Sequence, residues 1–171
     1  MSHEAHQFSA QQTPVRVGIL TISDTRTSET DASGQWLKTA CTEAGHTVVH
    51  YALVPDDPAA IQMHVAHWRA DTDVLITSGG TGLSARDQTF EALQVLLEQT
   101  LPGFGELFRM LSFQEIGSAA MLSRAMAGRH QQMMIFSVPG SAHAVKLAAT
   151  QLIFPQLRHL VWELRRHRAT T

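Results

Sequence analysis

The stretch DVLITSGGTGLSARDQTFEALQVLL, residues 73 to 97, joins a short apolar run to a glycine-rich loop and then to a periodic segment. Asp73 to Thr77 is apolar and β-branched, which predicts a buried strand. Apolar residues at helical spacing predict a helix over Thr89 to Leu97. A strand that runs through a loop into a helix is one unit of a parallel sheet, so this stretch indicates an α/β fold.

The same alternation precedes this stretch. Val15 to Ile22 predicts a first buried strand, and His46 to Val54 predicts a second. A first helix, which ends at Gly45, carries Trp36, Leu37, Ala40, Cys41 and Ala44, and a second helix carries Ile61, Val65 and Trp68. The order β-α-β-α-β-α predicts a three-layer α/β/α fold with a mainly parallel central sheet and right-handed crossovers.

The second half of the chain is less regular. An amphipathic helix is predicted after Pro102-Gly103, and its apolar face belongs either to the core or to a subunit interface. That face carries Phe104, Leu107, Phe108 and Leu111. Two strands around Gly128 to His130 predict a small hairpin. Ser141 is placed to cap a further helix, and Pro155 suits the first turn of the last helix.

Length and composition limit the classes of protein that fit. The chain has 171 residues, which suits one domain, predicted over residues 14 to 168 after a flexible polar tail at residues 1 to 13. Lys and Arg total 13 against 15 for Asp and Glu, so nothing indicates the basic face of a nucleic-acid-binding protein. No apolar run approaches the roughly 20 residues that span a bilayer, and the tail has no signal-peptide apolar region.

Cysteine use and the terminal arginines have simple explanations. Cys41 is the only cysteine, so no disulfide can form within the chain, which fits a cytoplasmic protein. Its place on the apolar side of a helix predicts a buried packing residue. Arg165, Arg166 and Arg168 are interpreted as cations that complement the last turn of a helix.

Polar residues follow four predicted strands at the points where the strands end. Ser23-Asp24 follows the first strand, Pro55-Asp56-Asp57 the second, and Pro139-Gly140-Ser141 a late strand. The third strand ends in the glycine loop, which consists of Thr77, Ser78, Gly79, Gly80, Thr81 and Gly82. Asp87 lies close behind it. Ligands of open α/β sheets bind outside the carboxyl ends of the strands, so these residues are predicted to form one site.

The glycine loop is suited to an anion. Glycine permits positive φ angles and lets a ligand approach the main-chain N–H groups. A loop between a strand and a helix directs those groups towards negative charge. Carboxylates beside a phosphate-binding loop suit Mg²⁺, which takes oxygen ligands from one or two carboxylates and from phosphates. The combination is typical of nucleotidyl or phosphoryl transfer.

Each of these residues also has a simpler interpretation. The glycine loop lacks the Walker and G-x-G-x-x-G patterns and could be an ordinary turn. Asp87 could cap the helix that follows it. Asp56 could be a turn residue in Pro-Asp-Asp-Pro, and Asp24 could form an Asx-turn. The residues taken singly leave these alternatives open.

Taken together, the motifs resemble the MoaB/MogA family of molybdenum cofactor biosynthesis proteins. The resemblance rests on Ser23-Asp24, Val54-Pro55-Asp56, the glycine loop with Arg86-Asp87, Pro102 to Glu106, Arg109 to Gly117, Leu122 to Ala125, and Pro139 to Ser141. These segments follow the family's order over nearly the whole chain, and RMLSFQEIG resembles the MoaB branch. The resemblance implies a MogA-like fold, a molybdopterin-binding site, and a homotrimer or a hexamer built from trimers.

The resemblance also implies a reaction, the adenylylation of molybdopterin with Mg²⁺ and ATP. The family's essential aspartates correspond to Asp56 and Asp87, which would organise Mg²⁺ and the attacking phosphate of molybdopterin. The glycine loop would hold a phosphate of ATP or of the pterin, Ser23 and Asp24 would line the same mouth, and Pro139-Gly140-Ser141 would form a second anion-binding turn. Both aspartates are present, which favours a competent enzyme over a non-catalytic pterin- or nucleotide-binding oligomer.

Overall fold

The computed structural model describes residues 14–166. The predicted tail at residues 1–13, the predicted domain limit at residue 168 and Arg168 lie outside this range. The elements are β1 (Arg16–Ile22), α1 (Ala32–Glu43), β2 (Thr47–Val54), α2 (Pro58–Trp68), β3 (Val74–Ser78), α3 (Thr89–Gln94), β4 (Gln99–Thr100), α4 (Pro102–Ile116), β5 (Met126–His130), β6 (Met133–Val138), α5 (Ala142–Ala148) and α6 (Phe154–Arg165). A 3-10 helix (Gly117–Leu122) follows α4, and a π-helical segment (Ala149–Ile153) joins α5 to α6.

The six strands form one sheet in the order β2-β1-β3-β6-β5-β4. Strands β2, β1, β3 and β6 run parallel, while β5 pairs antiparallel with β6 and β4 pairs antiparallel with β5. The mainly parallel sheet is therefore confirmed. The chain moves outwards from β1 to β2 and then returns past β1 to β3. The neighbours β1 and β3 thus form a topological switch point, where α/β proteins bind their ligands.

Helices cover both faces of the sheet, which confirms the three layers. One face packs against α1, α4, α5 and α6 through a large buried cluster that includes Ile19, Ile76 and Phe136. The other face packs against α2 and α3 through a second cluster that includes Leu75 and Ile135. Because β1 and β3 are covered on both sides, their residues are apolar in continuous runs rather than in alternation.

Cys41 lies in the larger cluster and is completely buried, as its position in the sequence predicts. Burial in apolar surroundings raises the pKa of its thiol to about 12. The thiol therefore stays protonated and serves as a packing group, since the thiolate is the reactive form of cysteine.

The predicted ends of the last helices are also confirmed. The Ser141 hydroxyl caps α5 by accepting a hydrogen bond from the Ala144 N–H at 3.1 Å. Pro155 lies in the first turn of α6. In the last turn of α6, Arg165 donates to the buried carboxylate of Asp73 at 2.6 Å and so ties this helix to the sheet. None of the helices within residues 14–166 is long and apolar enough to cross a membrane.

The third helix is shorter than predicted. It ends at Gln94 rather than Leu97, because the chain turns there to deliver β4 to the edge of the sheet. Leu96 and Leu97 still pack against the second core cluster, although they lie beyond the helix. Their apolar character reflects burial, and burial at this spacing is not unique to a helix.

The predicted hairpin is present, but its turn lies elsewhere. Gly128 to His130 belong to β5, and the turn is formed at Gln131 and Gln132, where Gln131 has a φ of 53°. A Cβ at Gly128 would lie 2.5 Å from the carbonyl oxygen of Gln99 and 2.7 Å from Leu97 Cδ1. The glycine that suggested a turn is therefore required for close packing within a strand.

Candidate functional site

The carboxyl ends of β1, β3 and β6 meet at a cavity of about 430 Å³. Its walls are formed by Ile22, Ser23, Thr25, Arg26, Gly79, Gly80, Thr81, Gly82, Asp87, Leu122, Ser123, Pro139 and Gly140. Most of the residues predicted from the strand ends are thus brought together. The cavity lies at the switch point between β1 and β3, where the fold leaves room between loops that depart in different directions.

The glycines of the loop approach their neighbours too closely to be replaced by residues with a side chain. Gly79 has a φ of 105°, and a Cβ there would lie 2.1 Å from the Ile22 carbonyl oxygen. Within residues 14–166, the N–H groups of Gly80, Thr81 and Gly82 donate to no main-chain or side-chain acceptor. Thr81 is buried and the two glycines are partly exposed, so these three N–H groups at the edge of the cavity are suited to an anionic ligand.

The carboxylate of Asp87 lies against the glycine loop. It accepts a hydrogen bond from the Ser84 N–H at 3.1 Å, and a Cβ at Gly82 would lie 2.6 Å from Asp87 Oδ2. The helix-cap alternative for Asp87 is wrong, because α3 begins after Gln88 and no side chain caps it there. Asp87 instead forms part of the cavity wall.

Asp56 lies on the other side of the glycine loop. Its carboxylate accepts from the Gln88 N–H at 3.2 Å and from the Thr89 hydroxyl at 3.0 Å, so it fixes the start of α3 from a distant loop. A Cβ at Gly80 would lie 2.4 Å from Asp56 Oδ2. Asp56 is not among the residues that line the cavity. Its predicted role in metal binding therefore requires the metal ion to lie close to Gly80, which separates the Asp56 carboxylate from the cavity.

Two further carboxylates, those of Asp24 and Asp87, lie near Asp56. The main-chain N–H of Asp56 donates to Asp24 Oδ1 at 3.0 Å. Burial raises the pKa of Asp56, the hydrogen bonds from Thr89 and Gln88 oppose that rise, and the negative charges of Asp87 and Asp24 add to it. A bound cation would relieve this repulsion.

The set of ligands restricts what kind of cation fits. No group of three His, Cys, Asp or Glu side chains within residues 14–166 could hold a metal ion by itself. Mg²⁺ is commonly bound by one or two carboxylates together with substrate phosphates. Asp56 and Asp87 therefore fit an ion that arrives with a phosphate, and they do not fit a structural metal.

Ser23 and Asp24 have local partners as well. The Ser23 hydroxyl accepts from the N–H groups of Thr25 at 3.3 Å and Arg26 at 3.1 Å, which shapes the loop after β1. Asp24 is exposed, contacts Asp56 and does not line the cavity. Of this predicted pair, only Ser23 therefore reaches the cavity wall.

Three other predicted residues lie outside the cavity wall. Thr77 and Ser78 are the last residues of β3, and their hydroxyls are buried on opposite faces of the sheet because side chains alternate along a strand. Ser141 is occupied as the cap of α5, while Pro139 and Gly140 line the cavity. The ligand-facing part of the glycine loop is therefore Gly79 to Gly82.

Arg26 is a cavity residue that the sequence analysis missed. Its guanidinium donates to the Ser33 hydroxyl at 2.9 Å and to the Gly140 carbonyl oxygen at 3.0 Å, and it lies 3.8 Å from Asp31. It brings a positive charge to the same wall as the glycine loop. The available signal was a lone arginine in the loop after a buried strand, beside the Ser23-Asp24 motif.

Asp31 anchors Arg26 from a completely buried position at the start of α1. It accepts hydrogen bonds from the Gly34 N–H at 3.0 Å, the Ser33 hydroxyl at 3.2 Å and the Tyr51 hydroxyl at 2.7 Å. Burial by itself raises the pKa of Asp31, but the hydrogen bonds outweigh burial and hold that pKa below its usual value. The carboxylate is therefore charged at neutral pH and keeps Arg26 in place.

A second cavity of about 410 Å³ adjoins the first. It is lined by Phe90, Gln94, Thr100, Leu101, Pro102, Gly105, Glu106, Arg109, Met121, Ser123, Arg124, Ala125, Met126 and Ala127. Ser123 belongs to the walls of both cavities. Arg124, which follows Ser123 and lines the second cavity, is another residue whose role the sequence did not indicate.

The chain is similar to known proteins over most of its length. Residues 18–159 match the family described as "Probable molybdopterin binding domain". Molybdenum cofactor biosynthesis protein B of Bacillus anthracis is 51% identical over 169 residues, which cover 97% of this chain and 99% of the Bacillus protein. The match thus extends well beyond the residues of the cavity.

Solved structures give the same result. A crystal structure of molybdenum cofactor biosynthesis protein B is 52% identical, covers 90% of this chain and 98% of its own, and superposes with a TM-score of 0.87. The tungsten cofactor synthesizing protein MoaB of Pyrococcus furiosus is 33% identical, with the same coverages and a TM-score of 0.80. The chain belongs to the MoaB branch of the molybdenum cofactor biosynthesis family.

Proposed function

We propose that this protein acts in molybdenum cofactor biosynthesis by binding molybdopterin and adenylylating it with Mg²⁺ and ATP. One observation carries the proposal. Within residues 14–166, the N–H groups of Gly80, Thr81 and Gly82 have no hydrogen-bond acceptor, and Asp56 lies on one side of them and Asp87 on the other. Family membership supports the pterin substrate, because the family is described by molybdopterin binding.

The reaction is a transfer of AMP. A terminal phosphate oxygen of molybdopterin attacks the α-phosphorus of ATP and forms a new P–O bond. The bond between that phosphorus and the oxygen bridging to the β-phosphorus breaks, and its electron pair leaves with pyrophosphate. The protein contributes mainly position and electrostatic stabilisation, as in other phosphoryl transfers.

Residues of this chain have distinct parts in that transfer. The N–H groups of Gly80 to Gly82 donate hydrogen bonds to phosphate oxygens. The Thr81 hydroxyl lies on the same loop. The guanidinium of Arg26 adds positive charge to the wall of the same cavity. Asp56 and Asp87 would hold Mg²⁺, which supplies charge neutralisation for the phosphates when it is bound.

The experiment is a turnover assay with the purified chain. Molybdopterin, ATP and Mg²⁺ should give adenylylated molybdopterin and one equivalent of pyrophosphate, and removal of Mg²⁺ with a chelator should stop both. Calorimetry on the same preparation measures the binding of Mg-ATP and of molybdopterin separately. An absence of pyrophosphate release with both substrates bound would reject the enzymatic part of the proposal.

A non-catalytic pterin- or nucleotide-binding protein of the same pathway is the second candidate. The Asp56 carboxylate accepts hydrogen bonds at the start of α3, and the Asp87 carboxylate accepts one from Ser84. Both carboxylates therefore have structural partners without a metal. Binding without turnover in the assay above is the outcome that this alternative predicts.

We also propose that the chain forms a homo-oligomer, through a face made by α4 and the 3-10 helix. This apolar face carries the exposed side chains of Leu107, Met110, Phe113, Ile116, Met121 and Leu122. Phe104 and Phe108 of the same helix are buried in the core, so the helix presents apolar groups on two sides. A concentration of exposed apolar side chains on two consecutive helices is typical of a protein–protein interface. A second copy of the chain is the occupant expected from the family resemblance.

A further inference from the structure

Arg124 holds the glycine loop by its main chain. Its Nε donates to the Thr81 carbonyl oxygen at 2.9 Å, and its Nη2 donates to the Gly82 carbonyl oxygen at 2.5 Å. Its Nη1 pairs with Glu91 in the first turn of α3 at 2.5 Å, and its guanidinium lies 4.9 Å from the centre of the Phe90 ring. One side chain therefore joins the glycine loop to α3 from a position 42 residues further along the chain.

These contacts fix the direction of two peptide groups. In a planar trans peptide, the carbonyl of one residue and the N–H of the next point in opposite directions. With the Thr81 and Gly82 carbonyl oxygens turned towards Arg124, the N–H groups of Gly82 and Leu83 must point away from it. Within residues 14–166, neither N–H donates to another group.

Loss of the Arg124 side chain would remove the hydrogen bonds that hold the loop in this orientation. Glycine has access to both signs of φ, so the peptides around Gly80 and Gly82 can rotate at low cost. A rotated peptide would direct a carbonyl oxygen towards the ligand and would repel phosphate instead of binding it. Arg124 is suited to prevent that rotation, because a guanidinium presents several donors in a rigid plane and can hold two carbonyls at once.

We infer that Arg124 is a positioning residue that holds the glycine loop in its phosphate-binding orientation and directs the N–H group of Gly82 towards the ligand. The inference rests on the proposed function for the identity of the ligand, but the orientation of the loop can be tested without a ligand. Arg124 itself is not expected to touch phosphate, because its Nε, Nη1 and Nη2 all have protein acceptors. Its role would be exerted through the peptides of Thr81 and Gly82.

The test compares four forms of the chain: wild type, Arg124→Gln, Arg124→Lys and the matched control Arg129→Gln. Arg129 is a suitable control because it also pairs with a glutamate, Glu98, and also donates to a main-chain oxygen, that of Gln131, but it lies in the hairpin. Two quantities are measured on each form. Amide hydrogen exchange at hydrogen-bonded N–H groups of residues 79–89, those of Gly79, Ser84, Asp87, Gln88 and Thr89, reports loop order in the free protein. Calorimetry reports affinity for Mg-ATP and for pyrophosphate.

We expect Arg124→Gln to accelerate exchange in the loop and to weaken both affinities about tenfold or more, as for the loss of a charge-assisted hydrogen bond. Arg124→Lys should restore part of each, and Arg129→Gln should match wild type. Unchanged loop exchange in Arg124→Gln, or faster exchange with wild-type affinity, would overturn the inference. If Arg124→Gln does not fold, the same two measurements on Arg124→Lys decide.

The failure of the proposed function would look different. In that case wild type itself would bind neither Mg-ATP nor pyrophosphate. Loop exchange would then still decide whether Arg124 orders the loop, since that measurement needs no ligand. Wild-type exchange rates in both Arg124 variants would reject the inference.

Discussion

Asp56 and Thr89 are hydrogen-bonded to each other directly beside Gly80. The Thr89 hydroxyl donates to the Asp56 carboxylate at 3.0 Å, and a Cβ at Gly80 would lie 2.0 Å from Thr89 Oγ1 and 2.4 Å from Asp56 Oδ2. The glycine loop therefore packs directly against the contact between a residue of the second strand end and a residue of α3. Its position is determined by both.

The first prediction concerns this passage. Gly80→Ala should lower the free energy of unfolding by about 1–3 kcal/mol, because alanine is strained at a φ of 63° and its Cβ collides with Asp56 and Thr89. Urea denaturation measures the loss, and calorimetry should show weakened Mg-ATP binding. Gly103→Ala is the control, because nothing lies within 4 Å of a Cβ there. Equal effects of the two substitutions would contradict the close packing described for Gly80.

The second prediction concerns the carboxylate at the cavity wall. Asp87→Asn keeps the size of the side chain and an acceptor for Ser84, but it removes the charge proposed to hold Mg²⁺. We expect turnover to fall on the order of 100-fold or more with an unchanged melting temperature. Asp57→Asn is the matched control, since Asp57 caps α2 and asparagine caps a helix equally well. Pyrophosphate release at the wild-type rate from Asp87→Asn would remove Asp87 from the catalytic site.

The third prediction concerns pH. The pKa of Tyr51 is raised to about 12 by burial and by its hydrogen bond to Asp31, so the phenol stays a donor at all moderate pH values. The folded pKa of Asp31 lies below its ordinary value of 3.8. The stability contributed by these hydrogen bonds is therefore complete above about pH 4 and is lost as the pH falls through the folded pKa.

Tyr51→Phe removes the 2.7 Å hydrogen bond but keeps the ring. Because Asp31 is buried, the variant should lose about 1–3 kcal/mol of unfolding free energy at pH 7. The difference from wild type should shrink as the pH falls from 7 through the folded pKa of Asp31, which lies below 3.8. Urea denaturation over this pH range checks the prediction, and a difference that grows towards acid would be the wrong sign for a charged Asp31.

The fourth prediction concerns the apolar face of α4 and the 3-10 helix. Phe113 is 61% exposed in the single chain, and Phe113→Asp would place a charge in an apolar interface. Light scattering should show an oligomer for wild type and a smaller species for the variant. Val95→Asp is the control, because Val95 is 75% exposed at the end of α3 and lies off this face. A monomeric wild type would reject the oligomer.

The fold was largely predictable because alternating strands and helices leave a strong local signal. The errors arose where tertiary contacts decide local structure. β4 has only two residues, and it exists because it pairs with β5. Gly128 resembles a turn glycine, but Leu97 packs where its side chain would be.

The candidate site was predictable only for residues that closely follow the end of a strand. The strand-end rule located Ser23, the glycine loop and Asp87 on one cavity. It could not find Arg26 or Arg124, because their significance depends on partners 114 and 43 residues away. It also counted Thr77 and Ser78 among the binding residues, although their side chains alternate into the sheet interior.

The π-helical segment between α5 and α6 has a consequence for the angular phase of the last helix. Each residue of an α-helix advances the side chains by about 100° around the axis. Both α5 and α6 face the same core, α5 with Val145 and α6 with Leu157 and Val161, only because the wider π turn resets that angle. If the same five residues were wound as a regular α-helix, Leu157 would be rotated about the axis and away from the core. The segment therefore adjusts the angular register so that both helices bury apolar residues against the same face of the sheet.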